Sequence, residues 1–134
     1  MNNMRMLAEE EENDDGVEVT WEDQQQINRF SKLNARLRGI EDTLEQLKQK
    51  KDALDDLATE LELTDEDMKV LYKFGESFLH LSQPNALVQL DSDQATVSAQ
   101  FAELSQITEE CESEMKDLKV QLYAKFGRAI NLDE

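Results

Sequence analysis

Apolar side chains recur along this chain at two different periods, and the switch between them divides it. Phe30, Leu33, Leu37, Ile40, Leu44, Leu47, Lys51, Leu54, Ala58 and Leu61 succeed one another in alternating steps of three and four, with Lys51 the one polar member. A spacing near 3.5 residues holds one stripe against a partner helix, as in a coiled coil. A second stripe of the same kind runs through Leu87, Leu90, Gln94, Val97, Phe101, Leu104, Thr108, Cys111, Met115, Leu118 and Leu122. Between the two, the pattern changes to period 2. Met68, Val70, Tyr72 and Phe74 alternate with Lys69, Leu71 and Lys73, and Phe78, Leu79, His80 and Leu81 follow Gly75-Glu76. Two short aromatic and β-branched runs around a glycine predict a β-hairpin.

Local signals set the ends of these elements. Thr20 can cap the first turn of a helix, with Asp23 in the reciprocal position of a capping box, and Glu22 and Asp23 suit the positive end of its dipole. The first helix is therefore predicted over about 21–62, stopping at the polar turn Thr64-Asp65-Glu66-Asp67. The hairpin is placed at about 67–81. Ser82 or Gln83 caps the second helix, Pro84 falls in its first turn where a missing N–H is harmless, and Gly127 ends it, giving about 84–125. Outside this region lie a tail over 1–16 and a short tail over 128–134. Glu9 to Glu12, Asp14 and Asp15 form a like-charge block in the first, which is predicted to be disordered.

Two helices of matched length, each roughly 60 Å by the α-helical rise, joined by a hairpin, make an antiparallel two-helix coiled coil. The fold class is mainly α. Lys51 and Gln94 fall at similar distances from the turn, where they could fix register. Lys48 and Lys50 would then lie near Asp91 and Asp93. The hairpin is apolar on both faces, with Met68, Val70, Tyr72 and Phe74 pointing one way and Leu71, Leu79 and Leu81 others. An isolated two-stranded sheet is marginal in water and leaves edge groups unpaired. Strands from other chains would complete it, so an obligate oligomer closed through the hairpins into a sheet or barrel is expected. At the opposite end, Trp21, Ile27, Tyr123 and Phe126 fall off the seam near Phe30, Ile130 and Leu132. They either form an exposed interaction site or fold over and plug the end of the coiled coil.

Charge narrows the function. The chain has 134 residues, 31 of them acidic and 14 basic, for a formal net charge of −17. That balance opposes binding to nucleic acid or to an anionic membrane surface. No stretch is apolar enough to span a bilayer, and Met1 to Ala8 lacks a signal-peptide core, so a cytoplasmic location is expected. Chemistry is sparse. One histidine, His80, and one cysteine, Cys111, cannot assemble a zinc site or a catalytic triad, and no glycine-rich phosphate loop is present. His80 reads as structural and Cys111, on the seam, as a small buried hydrophobe. Asp91-x-Asp93 opens like a calcium loop, but Thr96 and Ala102 stand where glycine and glutamate are needed. No enzyme, cofactor or metal is expected.

Val19-Thr20-Trp21-Glu22-Asp23-Gln24-Gln25-Gln26-Ile27-Asn28 resembles the start of the subunit 4 branch of the eukaryotic β-type prefoldin family. Leu118-Lys119-Val120-Gln121-Leu122-Tyr123-Ala124-Lys125-Phe126-Gly127, followed by Ile130-Asn131-Leu132, is similar to its C-terminal signature. Gly75-Glu76-Ser77-Phe78 resembles the family's hairpin turn, where Asp is commoner than Glu, and Trp21 replaces an expected phenylalanine. The resemblance covers about residues 17–133. It implies one hairpin per chain in a hetero-hexamer of two α-type and four β-type subunits, this chain and three further β-type subunits. In such an assembly the hairpins join into intersubunit β-barrels and the coiled coils hang as tentacles. The tips hold unfolded proteins, notably actin and tubulin, and deliver them to the cytosolic chaperonin without ATP hydrolysis. Carried over, Val70, Tyr72, Phe74, Phe78, Leu79 and Leu81 become subunit-interface residues. Trp21, Ile27, Phe30, Tyr123 and Phe126 become candidate client contacts. The competing reading is a structural coiled-coil adaptor or tether without chaperone activity.

Overall fold

The computed structural model describes residues 4–6 and 18–132. In chain order the elements are β1 (Met4–Met6), α1 (Trp21–Glu62), β2 (Lys69–Phe74), β3 (Ser77–Ser82), α2 (Gln83–Phe126), a 3₁₀ turn (Gly127–Ala129) and β4 (Ile130–Leu132). Two long helices joined by a β-hairpin give the mainly α class expected. The chain divides into two compact units, Met1–Asp42 with Ser105–Glu134, and Thr43–Leu104. Among the described residues, no helix is long and apolar enough to cross a membrane.

In the first unit, α1 begins with the reciprocal capping box. Thr20 N–H donates to Asp23 Oδ2 at 3.0 Å and Asp23 N–H donates to Thr20 Oγ1 at 3.1 Å. The two helices run antiparallel here, with Gln26 donating to Gln121 at 3.1 Å and Arg29 donating twice to Glu114, at 2.6 and 2.9 Å. Phe30, Leu33 and Leu37 pack with Cys111, Met115 and Leu122, as the seams require. Gly127 follows α2 at φ 57°. This left-handed conformation ends the helix and turns the chain back.

That reversal carries Ala129, Ile130 and Leu132 into the same apolar cluster, all of them at most 4% exposed. β4 then pairs antiparallel with β1, Arg5 opposite Asn131. The expectation of disorder over 1–16 is therefore corrected at Met4–Met6, which forms a strand. Residues 1–3, 7–17 and 133–134, including the acidic block, lie outside the described residues.

In the second unit, the hairpin pairs Val70 with Leu81, Tyr72 with Leu79 and Phe74 with Ser77. Gly75 has φ 58° and Glu76 does not have a positive φ, as a two-residue turn with glycine first requires. Directly paired residues share a sheet face, so Leu79 and Leu81 lie on the side of Val70, Tyr72 and Phe74, not away from it as the alternation suggested. The other face carries Lys69, Leu71, Lys73, Phe78 and His80, all exposed. Val70, Tyr72, Phe74 and Leu81 pack on Leu54, Leu57, Ala58, Leu61, Ala86, Leu87 and Leu90.

Side chains stitch this hairpin to the helix ends. The last carbonyls of α1 have no partner within the helix. Gln83, 7% exposed, donates its amide to Leu61 O at 3.0 Å, and the Thr64 hydroxyl donates to Glu60 O at 3.0 Å. Ser82 Oγ accepts the Asn85 N–H at 3.3 Å, which makes Ser82 the cap of α2.

Candidate functional site

Two surfaces stand out, one in each unit. In the hairpin unit, the sequence placed Val70, Tyr72, Phe74, Phe78, Leu79 and Leu81 at a subunit interface. The structure separates them into two groups. Tyr72 is 2% exposed, and Val70, Phe74 and Leu81 are half-buried against the helices. Phe78 and Leu79 remain 56% and 51% exposed, and so do Met68 and Leu71, at 55% and 56%. Met68 and Leu71, apolar hairpin residues in the sequence pattern, were not among the interface residues that the resemblance implied. The signal lay in the alternation itself, since Leu71 interrupts a run of outward lysines.

The inner group is held by a polar anchor. Tyr72 donates its hydroxyl to Asp93 Oδ2 at 2.7 Å, and Gln89 donates to the other oxygen of Asp93 at 2.9 Å. Burial and then the Asp93 carboxylate push the Tyr72 phenol well above its usual range. This bond fixes β2 on α2 and aligns the tilted Tyr72 and Phe74 rings, whose centroids are 5.3 Å apart. Beside them a hollow of about 550 Å³ opens along α1 and β2, lined by Leu54, Leu57, Tyr72 and Phe74 with Lys50 and Asp93. Lys50 and Asp93 thus line the same hollow, and the oxygens of Asp93 accept from Tyr72 and Gln89. Gln94 donates to Asp55 at 3.2 Å, while Lys51 lies in a recess with Ser98 and Phe101.

The hairpin therefore presents a strip of apolar side chains and two strands whose outer edges have no neighbouring strand among the described residues. Unpaired edges beside exposed apolar residues are a template for further strands.

In the other unit, the expected group of end residues is also divided. Ile27, Phe30 and Phe126, at 5%, 0% and 2% exposure, belong to the core that β4 completes. Phe30 is buried as a seam member, and of the two alternatives left open for the off-seam residues, Ile27 and Phe126 follow the plug, because the chain folds back over them. Trp21 and Tyr123 stay exposed at 72% and 37%, with Val120 at 63% on the same helix as Tyr123. Tyr123 also accepts the Leu132 N–H at 3.2 Å on its hydroxyl, which pins β4.

Charge tightens this end. Lys125 donates to Asp23 Oδ2, the oxygen that also accepts the Thr20 N–H. Burial acts to raise the Asp23 pKa, but the Lys125 and Thr20 hydrogen bonds outweigh it and hold the carboxyl below its usual range. Glu114 is likewise held low by its hydrogen bonds from Arg29. Both pairs tie the start of α1 to the end of α2. Among the described residues, no group of His, Cys, Asp and Glu is arranged to hold a metal ion. Cys111 is a free thiol, 4% exposed within the core.

Comparison with known proteins bears on both surfaces. Residues 24–129 match the family model described as prefoldin subunit. A Saccharomyces cerevisiae protein named prefoldin subunit 4 is 38% identical over 130 residues, which cover 97% of this chain and 99% of that one. The Homo sapiens protein of the same name is 34% identical over 118 residues, 87% of this chain and 88% of that one. Among solved structures, the prefoldin beta subunit from a Thermococcus strain superposes with a TM-score of 0.71 at 13% identity, over 82% of this chain and 96% of that one. The structural likeness speaks for the helix–hairpin–helix fold and the sequence likeness for descent: the chain belongs to the prefoldin subunit family.

Proposed function

We propose that this chain is a β-type subunit of a hetero-hexameric prefoldin co-chaperone of two α-type and four β-type subunits. In this reading, the complex is an ATP-independent holdase in the cytoplasm. It captures unfolded proteins such as actin and tubulin and delivers them to the cytosolic chaperonin. The observation that carries the reading is the hairpin: Met68, Leu71, Phe78 and Leu79 are more than half exposed on a two-stranded sheet with open edges. Neighbouring subunits would add strands there and close a barrel, with Val70, Tyr72, Phe74 and Leu81 holding the sheet on its helices. In the other unit, Trp21 and Tyr123, with Val120, offer apolar contacts to clients. Ile27, Phe30 and Phe126 act from beneath as the support that keeps them in place. Single contacts of this size are weak, and several tentacles acting together supply avidity.

The test is light scattering of denatured actin diluted into buffer with the purified complex. The wild-type complex should suppress aggregation, and Trp21→Ser with Val120→Ser should assemble normally yet suppress it less. A complex that never protects unfolded actin would instead favour a structural adaptor or tether.

A further inference from the structure

Strand β4 is built as a firm platform and its partner β1 as a light occupant. Ile130 and Leu132 are 4% and 1% exposed in the cluster around Phe30 and Phe126. Leu132 N–H is taken by the Tyr123 hydroxyl at 3.2 Å, and that bond occupies the far side of β4. The edge that receives β1 is thus the one able to accept a strand. β1 itself spans three residues, Met4–Met6, and joins the rest of the chain only through residues 7–20. So short a ladder is marginal by itself. Tethering to the same chain gives such a strand a high local concentration.

The geometry points to the β1-bearing edge of β4 as a docking site for an extended segment of a non-native protein, added antiparallel as a strand. β1 is its resident intramolecular occupant and must leave before a client segment pairs. The occupant's sequence is Met-Arg-Met, a basic residue between two apolar ones, and it defines the first probe. A net charge of −17 favours that basic position over an acidic one. Backbone pairing suits clients of unrelated sequence, since main-chain hydrogen bonds supply affinity and only alternate side chains are read. This inference rests on the holdase reading and names how the tip would engage its clients.

The probe is a fluorescein-labelled peptide of residues 1–8, titrated by anisotropy into the assembled complex. A complex whose chain lacks residues 1–8 should bind it at least tenfold more tightly than the intact complex. A full-length Arg5→Pro chain, which loses the N–H opposite Asn131, should match the deletion and so exclude truncation damage. A peptide with Glu in place of the arginine should bind less well. Equal binding to intact and deleted complexes, or none to either, overturns the strand site. Capture of carboxymethylated lactalbumin, a permanently unfolded chain, should rise in the deletion. If peptide binding follows the expected order but neither complex holds the unfolded protein, the holdase reading fails and the strand site stands. If both hold it equally and the peptide binds neither, the strand site fails and the holdase reading stands.

Discussion

The two units of this chain solve one problem in opposite ways. Each has more apolar surface than two facing helices can cover. In the unit containing both chain ends, a glycine-ended helix and a three-residue strand return over the helices, so that Ile27, Phe30, Phe126, Ile130 and Leu132 are all at most 5% exposed. In the hairpin unit, one sheet face is seated on the helices while Met68, Leu71, Phe78 and Leu79 are left more than half exposed. The chain covers its own surface where more chain is at hand. Where none is, it leaves an unfinished sheet. Burial within one chain thus separates residues that specify the fold from residues that the proposed assembly would cover.

Substitutions sharpen this contrast. The largest effect is expected of Phe30→Ala, which empties the fully buried centre of the closed unit and should cost about 3–5 kcal/mol. The same truncation at Phe78 should change the stability of the single chain by less than about 0.5 kcal/mol. Urea denaturation at one fixed chain concentration compares the two, and equal losses would erase the distinction. Next, Tyr72→Phe removes the hydroxyl that Asp93 accepts and should destabilise the hairpin unit by about 2 kcal/mol. The phenol's raised pKa gives the sign at high pH. That stability is complete below the unfolded tyrosine pKa and falls as pH rises toward the folded value, and Tyr72→Phe should lack the fall.

A smaller gain is expected at Thr108, whose hydroxyl is buried on the seam of the closed unit without a hydrogen-bond partner among the described residues. Thr108→Val should stabilise by about 1 kcal/mol in thermal melts, because a lone buried hydroxyl forfeits its hydration. The smallest effect concerns Asp23, whose pKa is lowered. Its contribution is complete above the unfolded carboxyl pKa, about 3.9, and disappears as pH falls through the folded value. Asp23→Asn should therefore be less stable at pH 7, by under about 1 kcal/mol. The difference should shrink as pH falls through the folded value, below which both forms are uncharged. A constant difference across that range would assign the effect to packing.

The helices, the hairpin and their stops were legible in the sequence because each follows from short-range physics. Heptad spacing, the Thr20–Asp23 box and the glycines at 75 and 127 act within a few residues. Two features were not legible. The first is the burial of Ile27 and Phe126. Each lies three or four residues beyond a seam member, on the broader stripe of a straight helix, and a strict seam leaves such positions out. What covers them is β4, and a three-residue strand has no periodicity to detect. The second is β1, in which Met-Arg-Met is too short to read and the acidic block beside it dominates the local composition. For the candidate site, the apolar hairpin was evident, but the face of each residue was not. The two-residue turn fixes Leu79 opposite Tyr72, and register is a property of the pair of strands.

The central claim is that neighbouring chains complete the hairpin. Amide hydrogen exchange across Lys69–Ser82 tests it most directly, measured on the chain alone at micromolar concentration and again after assembly with its family partners. The outward edge amides of β2 and β3 should exchange quickly in the lone chain and become protected on assembly by 100-fold or more, as an order of magnitude. Full protection already present in a stable monomer, unchanged by the partners, would contradict it.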